Sequence, residues 1–485
     1  MRRITMAFVL LSAFSGGTSV VAQSQQPADK VPITTASAEA RALYLKGRDL
    51  AEKLRATDAR RFYEEAIEKD KNFALGYLGL ANTAPTTREF IDAVTRAAAL
   101  AAGVSEGERH LIGGVEANLK GDPAGVLTHY TELVRLFPHD ERARTLLGNT
   151  YFGRQEYETA ITHFVQATSI NPSFSQPYNQ LGYAYRFLEK FDDAEDAFKK
   201  YTELIPGDPN PYDSYAELLM KIGRFDESIA MYEKALSLDR NFVASYIGIG
   251  NNYLCKDQPE QARTALSKIA AVARNTGERR LARFWTAAAY VHEGATEKAL
   301  EELRAGYALA AADGDGALMS GDLTQMGDVL REAGRAADAL AKYQEAVAVI
   351  DKAEVPDEVK EATRRTHVFE EGRVAAARND IATARAKLAE YTQQVASKKR
   401  PFEVRQQHEL AGLIALAAKD HAAAAREFQL ANQQDPRILY LTALALKGSG
   451  DQQRADTFAA KAAKFNGLSF NYGYVRKAAR KLAGT

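Results

Sequence analysis

The 485-residue chain carries 63 basic and 63 acidic side chains, 46% hydrophobic residues and a single cysteine, Cys255. A balanced charge gives no general attraction to nucleic acid or to an anionic membrane. A lone cysteine excludes an intramolecular disulfide and a four-cysteine metal site, so stability has to come from packing.

The first 22 residues stand apart. Arg2 and Arg3 precede an apolar run from Ile4 to Phe14, and a small-residue stretch follows to Ala22. This is the pattern of a secretory signal peptide over 1–22, cleaved after Ala22. An uncleaved anchor needs about 20 apolar residues, more than this run supplies, and no cysteine is available there for lipid attachment. The mature chain is expected to be exported, to a periplasm or beyond the cell. Residues 23–39 are polar, carry Pro27 and Pro32 and show no period, which predicts a disordered lead-in.

A period then takes over. Gly114, Gly148, Gly182, Ala216 and Gly250 are spaced 34 residues apart, and Pro138, Pro172 and Pro206 keep the same step. With Glu141 as position 1, Arg144, Leu147, Gly148 and Tyr151 share one helical face. Ala160, Phe164 and Ala167 share another, beyond a turn at 153–157. Each unit therefore reads as two antiparallel helices. Small residues at positions 8 and 20 let the backbones approach, and proline at position 32 stops the second helix. One such hairpin cannot bury its apolar face alone, so neighbours must stack.

The pattern resembles the tetratricopeptide repeat. Tyr178, Leu181, Gly182, Tyr185, Ala194, Phe198 and Pro206 occupy seven of its eight signature positions, and Tyr201 replaces the usual alanine. The resemblance implies an all-α fold, a right-handed α-solenoid of about 11–12 helix-turn-helix repeats. The register gives an N-terminal array over 40–276, strongest at 107–276, where five units follow without insertion. A looser array covers 277–465 in units at 280–313, 320–353, 365–398 and 405–438. The spacers 314–319, 354–364 and 399–404 are expected to be longer inter-repeat loops. A basic capping helix over 466–485 is expected to lay Phe470, Tyr472 and Tyr474 on the last repeat, with Arg476, Lys477, Arg480 and Lys481 facing water. Contact of this tail with a membrane surface is the less favoured reading.

Motifs that would carry catalysis are missing from the sequence. His408-Glu409 lacks a second histidine four positions after the first, and no nucleophile elbow or phosphate loop occurs. Asp313-Gly314-Asp315-Gly316 starts like a calcium loop but continues with Ala317 and Leu318. His129 and His163 share position 23 of adjacent units and read as a surface pair rather than a metal site. No cofactor, metal or catalytic residue is assigned.

The resemblance also implies that positions 2, 5, 9 and 12 of each first helix line a concave groove. The candidate partner-binding residues there are Asn82, Asn149, Asn179, Tyr183, Arg186, Glu217 and Asn251, with Asp213 and Phe152 beside them. Asparagine is a weak helix former, and its amide can both donate to and accept from an extended peptide. Some members of the family clamp a terminal carboxylate through basic residues; Thr145, Asn210 and Ser214 stand at the matching positions, which argues against that mode. The expected function is an exported, non-catalytic scaffold binding a protein or peptide in its groove. The alternative is a cell-envelope assembly factor acting through its convex face or its ends. The sequence leaves the oligomeric state open.

Overall fold

The computed structural model describes residues 29–398, 400–467 and 469–485, so the expected signal peptide at 1–22 lies outside the described residues. Among these residues, twelve helical hairpins follow one another, closed by one further helix. The first three pair α1 (Ala38–Glu52) with α2 (Ala56–Lys69), α3 (Ala74–Ala81) with α4 (Thr87–Ala99), and α5 (Glu106–Leu119) with α6 (Pro123–Leu136). The strong array continues with α7 (Glu141–Gly153) and α8 (Tyr157–Ile170), α9 (Gln176–Phe187) and α10 (Phe191–Leu204), and α11 (Pro209–Lys221) and α12 (Phe225–Leu238). It ends with α13 (Val243–Cys255) and α14 (Pro259–Ser267), followed by the short α15 (Ile269–Val272). The looser array pairs α16 (Thr276–Glu293) with α17 (Thr296–Ala312), α18 (Gly316–Glu332) with α19 (Ala336–Lys352), and α20 (Asp357–Ala377) with α21 (Ile381–Val395). Two last pairs, α22 (Pro401–Ala417) with α23 (His421–Leu430) and α24 (Pro436–Gly448) with α25 (Gln452–Ala463), precede α26 (Phe470–Ala483).

The 34-residue step has a specific packing cause. A Cβ built on Gly148 would stand 2.5 Å from the Phe164 ring, one on Gly182 2.5 Å from Phe198, and one on Gly412 2.6 Å from Phe428. Each of these three glycines, at position 8, thus receives the aromatic ring from position 24 of its own unit. Ala216 carries a methyl at that position, and the Tyr232 ring there lies against Gly248 of the following unit, 2.0 Å from where a Cβ would be. The prolines act as expected: α8 ends at Ile170, before Asn171-Pro172. A second tie joins the units. The hydroxyls of Tyr178, Tyr212 and Tyr246, all at position 4, donate to the carbonyls of Pro172, Pro206 and Arg240 at 3.2, 3.0 and 3.1 Å.

The spacers differ from expectation. Most of their residues lengthen first helices instead of looping out. α20 spans 21 residues and α16 18, against 12 to 14 in the first helices of the strong array. The reason is local: Asp315 caps α18 by accepting from Leu318 N, and Pro401 opens α22 at its first turn, where its missing N–H costs nothing.

The lead-in is also corrected where it is described. Residues 30–37 run extended across the starts of three units, and Ile33 is buried. Val31 N donates to Asp140 (2.9 Å), Thr34 N to Glu108 (2.7 Å) and Ala36 N to Asp70 (3.1 Å), while Lys30 pairs with Glu141. Polar composition hid this segment because its partners are backbone-binding carboxylates on distant units, not its own apolar residues.

The array winds back on itself. Asp58 pairs with Arg274, Thr87 N donates to Asp315 (2.8 Å), and Arg400 donates to the Gly121 carbonyl (3.0 Å). Gln155 bonds Asn432 (3.0 Å), Glu189 pairs with Lys461 (2.9 Å), and Asp257 pairs with Arg476 and Arg480 (2.6 and 2.8 Å). The partners are 216 to 279 positions apart, so the looser array forms a second turn seated on the first. Gly121, Gln155, Glu189, Gly223 and Asp257 all occupy position 15, the turn inside each hairpin, and all adopt positive φ between 58° and 85°. A left-handed residue there reverses the chain and aims the turn at the second layer.

α26 does more than cap. Phe470 packs on Phe284 of α16 with ring centres 4.7 Å apart, and Val475 and Ala479 are buried. Arg476, expected to face water, is buried, and it donates to the carbonyls of Leu254 (2.8 Å) and Cys255 (2.5 Å) at the end of α13. Helix termination takes the i+4 donors from these last-turn carbonyls; Leu254 still accepts from Asp257 N (3.1 Å), and the guanidinium adds a donor to both.

Candidate functional site

The groove candidates fall into two groups. Tyr183, Arg186 and Glu217 meet across α9 and α11: Arg186 pairs with Glu217 at 3.0 Å and lies over the rings of Tyr183 (4.8 Å) and Phe187 (5.1 Å). Tyr183 donates to Ser214 at 3.3 Å. The asparagines do not join them. Asn179 and Asn251 are buried, and Asn251 donates to the Ile247 carbonyl of its own helix at 2.9 Å. Asn149 is half-buried, and its Oδ1, like that of Asn179, lacks a hydrogen-bond partner. Asn82 is exposed at the C-terminus of the short α3, away from the rest.

The concave face of the strong array is therefore largely internal. Asp213 is buried and accepts from Ser245 at 2.7 Å; burial first, and then the Glu217 charge, push its carboxyl up to about 8. Asn210 accepts from the buried Tyr201 hydroxyl at 2.8 Å. The second turn fills its own concave face with charge. Arg373 pairs with Glu370 (2.8 Å), Arg437 with Glu332 (3.2 Å), and Asn471 of α26 donates to Asp435 (2.7 Å). Burial raises Glu409 to about 7 and Asp435 to about 6.

Arg186 and Glu217 open onto a cleft of about 1080 Å³ at the seam between the two turns. One wall is α9, the start of α10 and α11: Phe187, Phe191, Met220 and Lys221. The other comes from the second turn: Gln433, Gln434, Leu439, Phe458, Lys461, Lys464 and Phe465. Lys221 Nζ donates to the Phe465 carbonyl at 2.8 Å and lies 4.1 Å from that ring's centre. Burial, reinforced by Arg186, pushes this ammonium down to about 8. Sequence reasoning missed Lys221, Phe458, Lys461 and Phe465, because they meet only when the second turn seats on the first. The one signal that could have found their neighbourhood was position 15.

The other motifs resolve simply. His129 lies against His110, Nδ1 to Nδ1 at 3.1 Å, while His163 stacks on Tyr151, so the expected 129–163 pair does not form. Gly314 turns the chain and Asp315 caps α18. Cys255 is buried, and burial raises its thiol to about 11. Among the described residues no three His, Cys, Asp or Glu side chains gather as a metal site.

Comparison with known families gives matches to the TPR repeat over residues 127–186 and to the tetratricopeptide repeat over 175–208 and 210–242. These segments include the units at 141–174 and 175–208, in which the position 8 glycine meets the position 24 ring. The chain is a tetratricopeptide-repeat protein. Solved structures similar to this TPR protein include MamA, at 24% identity over 33% of this chain and 97% of that one, with a TM-score of 0.29. A tetratricopeptide repeat protein from Parabacteroides merdae is 16% identical over 56% of this chain and 94% of its own, with a TM-score of 0.36. PilW, a type IV pilus biogenesis factor, is 19% identical over 45% and 96%, with a TM-score of 0.33. No curated protein matches the TPR chain.

Proposed function

We propose that this TPR protein is an exported, non-catalytic scaffold that holds a peptide segment of a protein partner, and that the segment enters where the groove opens into the seam cleft. Arrays of TPR hairpins support a protein-interaction role in general. The observation that carries the specific reading is the cleft itself: about 1080 Å³, lined by aromatic and aliphatic side chains and a few convergent polar groups. The buried asparagines make the closed part of the groove a poorer candidate. Export rests on the signal-peptide pattern at 1–22.

Site-specific photo-crosslinking tests this. Phe458→benzoylphenylalanine places the probe in the cleft, and Val165→benzoylphenylalanine places it on the outer helix α8, where Val165 is 43% exposed. A discrete protein adduct from position 458 and none from 165 is the expected result. Adducts from 165 alone would favour the convex-face assembly factor. For that alternative, α26 offers little, since Phe470, Tyr472 and Arg476 are spent on internal contacts.

A further inference from the structure

We infer that the segment taken by the seam cleft is acidic and carries a large apolar side chain. The inference rests on the scaffold reading above and names the partner's chemistry.

The charges in the cleft do not cancel. Arg186 is matched by Glu217 at 3.0 Å and Lys461 by Glu189 at 2.9 Å. Two cations are left over. Lys221 has no carboxylate within ion-pair range among the described residues; its one hydrogen bond goes to a carbonyl, and an ammonium has three donors. Lys464 is exposed and likewise has no carboxylate partner among the described residues. An incoming carboxylate would restore to Lys221 the charge stabilisation that burial removes.

The remaining walls select the rest of the ligand. Phe187, Phe458, Leu439 and Met220 present apolar surface that a charged group alone would leave unused. Two glutamines mark the occupant as a polypeptide. Gln433 uses its Nε2 on the Phe428 carbonyl (2.7 Å) and keeps its oxygen, and Gln434 lines the cleft beside it. Side-chain amides can answer both the N–H and the C=O of a backbone. A volume of about 1080 Å³ reaches the upper end of the roughly 300–1,000 Å³ range of small-molecule sites, which suits several residues better than one headgroup.

The test uses the full mature chain and three pools of fluorescein-labelled nonapeptides. Each pool has Phe, Leu or Met at the centre, flanked by Glu and Asp, by Gln and Asn, or by Lys. Fluorescence anisotropy should show the acidic pool binding at least about tenfold more tightly than the amide pool, and the lysine pool most weakly. Lys221→Met and Lys464→Gln should each weaken the acidic pool several-fold more than the amide pool. Lys464 is a surface residue, so Lys464→Gln decides the matter if Lys221→Met fails to fold. Equal binding of the three pools, or acidic binding indifferent to Lys464→Gln, would overturn the inference. So would saturable binding of laurate with no binding of any pool. If position 458 yields a protein adduct while the acidic pool fails, the ligand chemistry falls and the scaffold stands; if both fail, both fall.

Discussion

Gly114, Gly148 and Gly182 sit where an aromatic ring from the partner helix comes down on the backbone, and this contact repeats every 34 residues. It was legible because a ring needs a missing Cβ, and that requirement is written in residue type. Asp213 shows the opposite case. Its spacing placed it on the groove face, yet nothing local announced that neighbouring first helices would bury it. Its carboxyl titrates at about 8 in the folded chain, against about 3.9 unfolded. The folded state therefore keeps a proton that the unfolded state has released, and stability falls as pH rises through this window. Glu409, at about 7, adds to the same slope. His292, held down to about 4 by burial, acts in the opposite sense but is neutral in both states above about 6.5. The melting temperature should fall between pH 6.5 and 8, and Asp213→Asn, which can still accept from Ser245, should raise it at pH 8 and flatten the slope. A slope unchanged by that substitution would contradict the assignment.

At the scale of elements, hairpins and their boundaries followed from helical spacing, capping and proline. The spacers did not, because the Asp315 cap of α18 and Pro401 at the first turn of α22 start helices where the repeat register expects loops. The lead-in escaped for a related reason: its hydrogen bonds reach Asp70, Glu108 and Asp140 in three different units. α26 was recognised as a cap, but its basic residues suggested solvent. Arg476 instead finishes α13, which leaves Cys255 only 5% exposed. Arg476→Ala should loosen that junction and raise the rate of maleimide labelling at Cys255 by at least about tenfold, since thiol reactivity follows access. An unchanged rate would show that the apolar contacts of Phe470 and Val475 hold the helix by themselves.

The whole molecule is a solenoid whose second turn rests on the first, and the proposed partner cleft lies in the seam between them. The 34-residue period marks the first turn's side of that seam, at position 15, but not what meets it there. The repeat fixes how neighbours pack, whereas contacts between residues more than 200 positions apart depend on curvature accumulated over seven hairpins. The seam is mostly polar, made of ion pairs and capped carbonyls around one cleft. Pairs of that kind, where exposed, contribute modestly one by one; their alignment along five hairpin turns is what makes the arrangement specific. Without the seam, Phe458, Lys461 and Phe465 would not face Arg186 and Lys221, and the cleft would not exist. Zero-length carbodiimide coupling of the mature protein, read by peptide mass spectrometry, tests this directly. Lys461 lies 2.9 Å from Glu189, and the account predicts an intramolecular Lys461–Glu189 amide in the monomer fraction. Coupling confined to neighbouring repeats, such as Lys256 to Asp226, with no Lys461–Glu189 product, would contradict it.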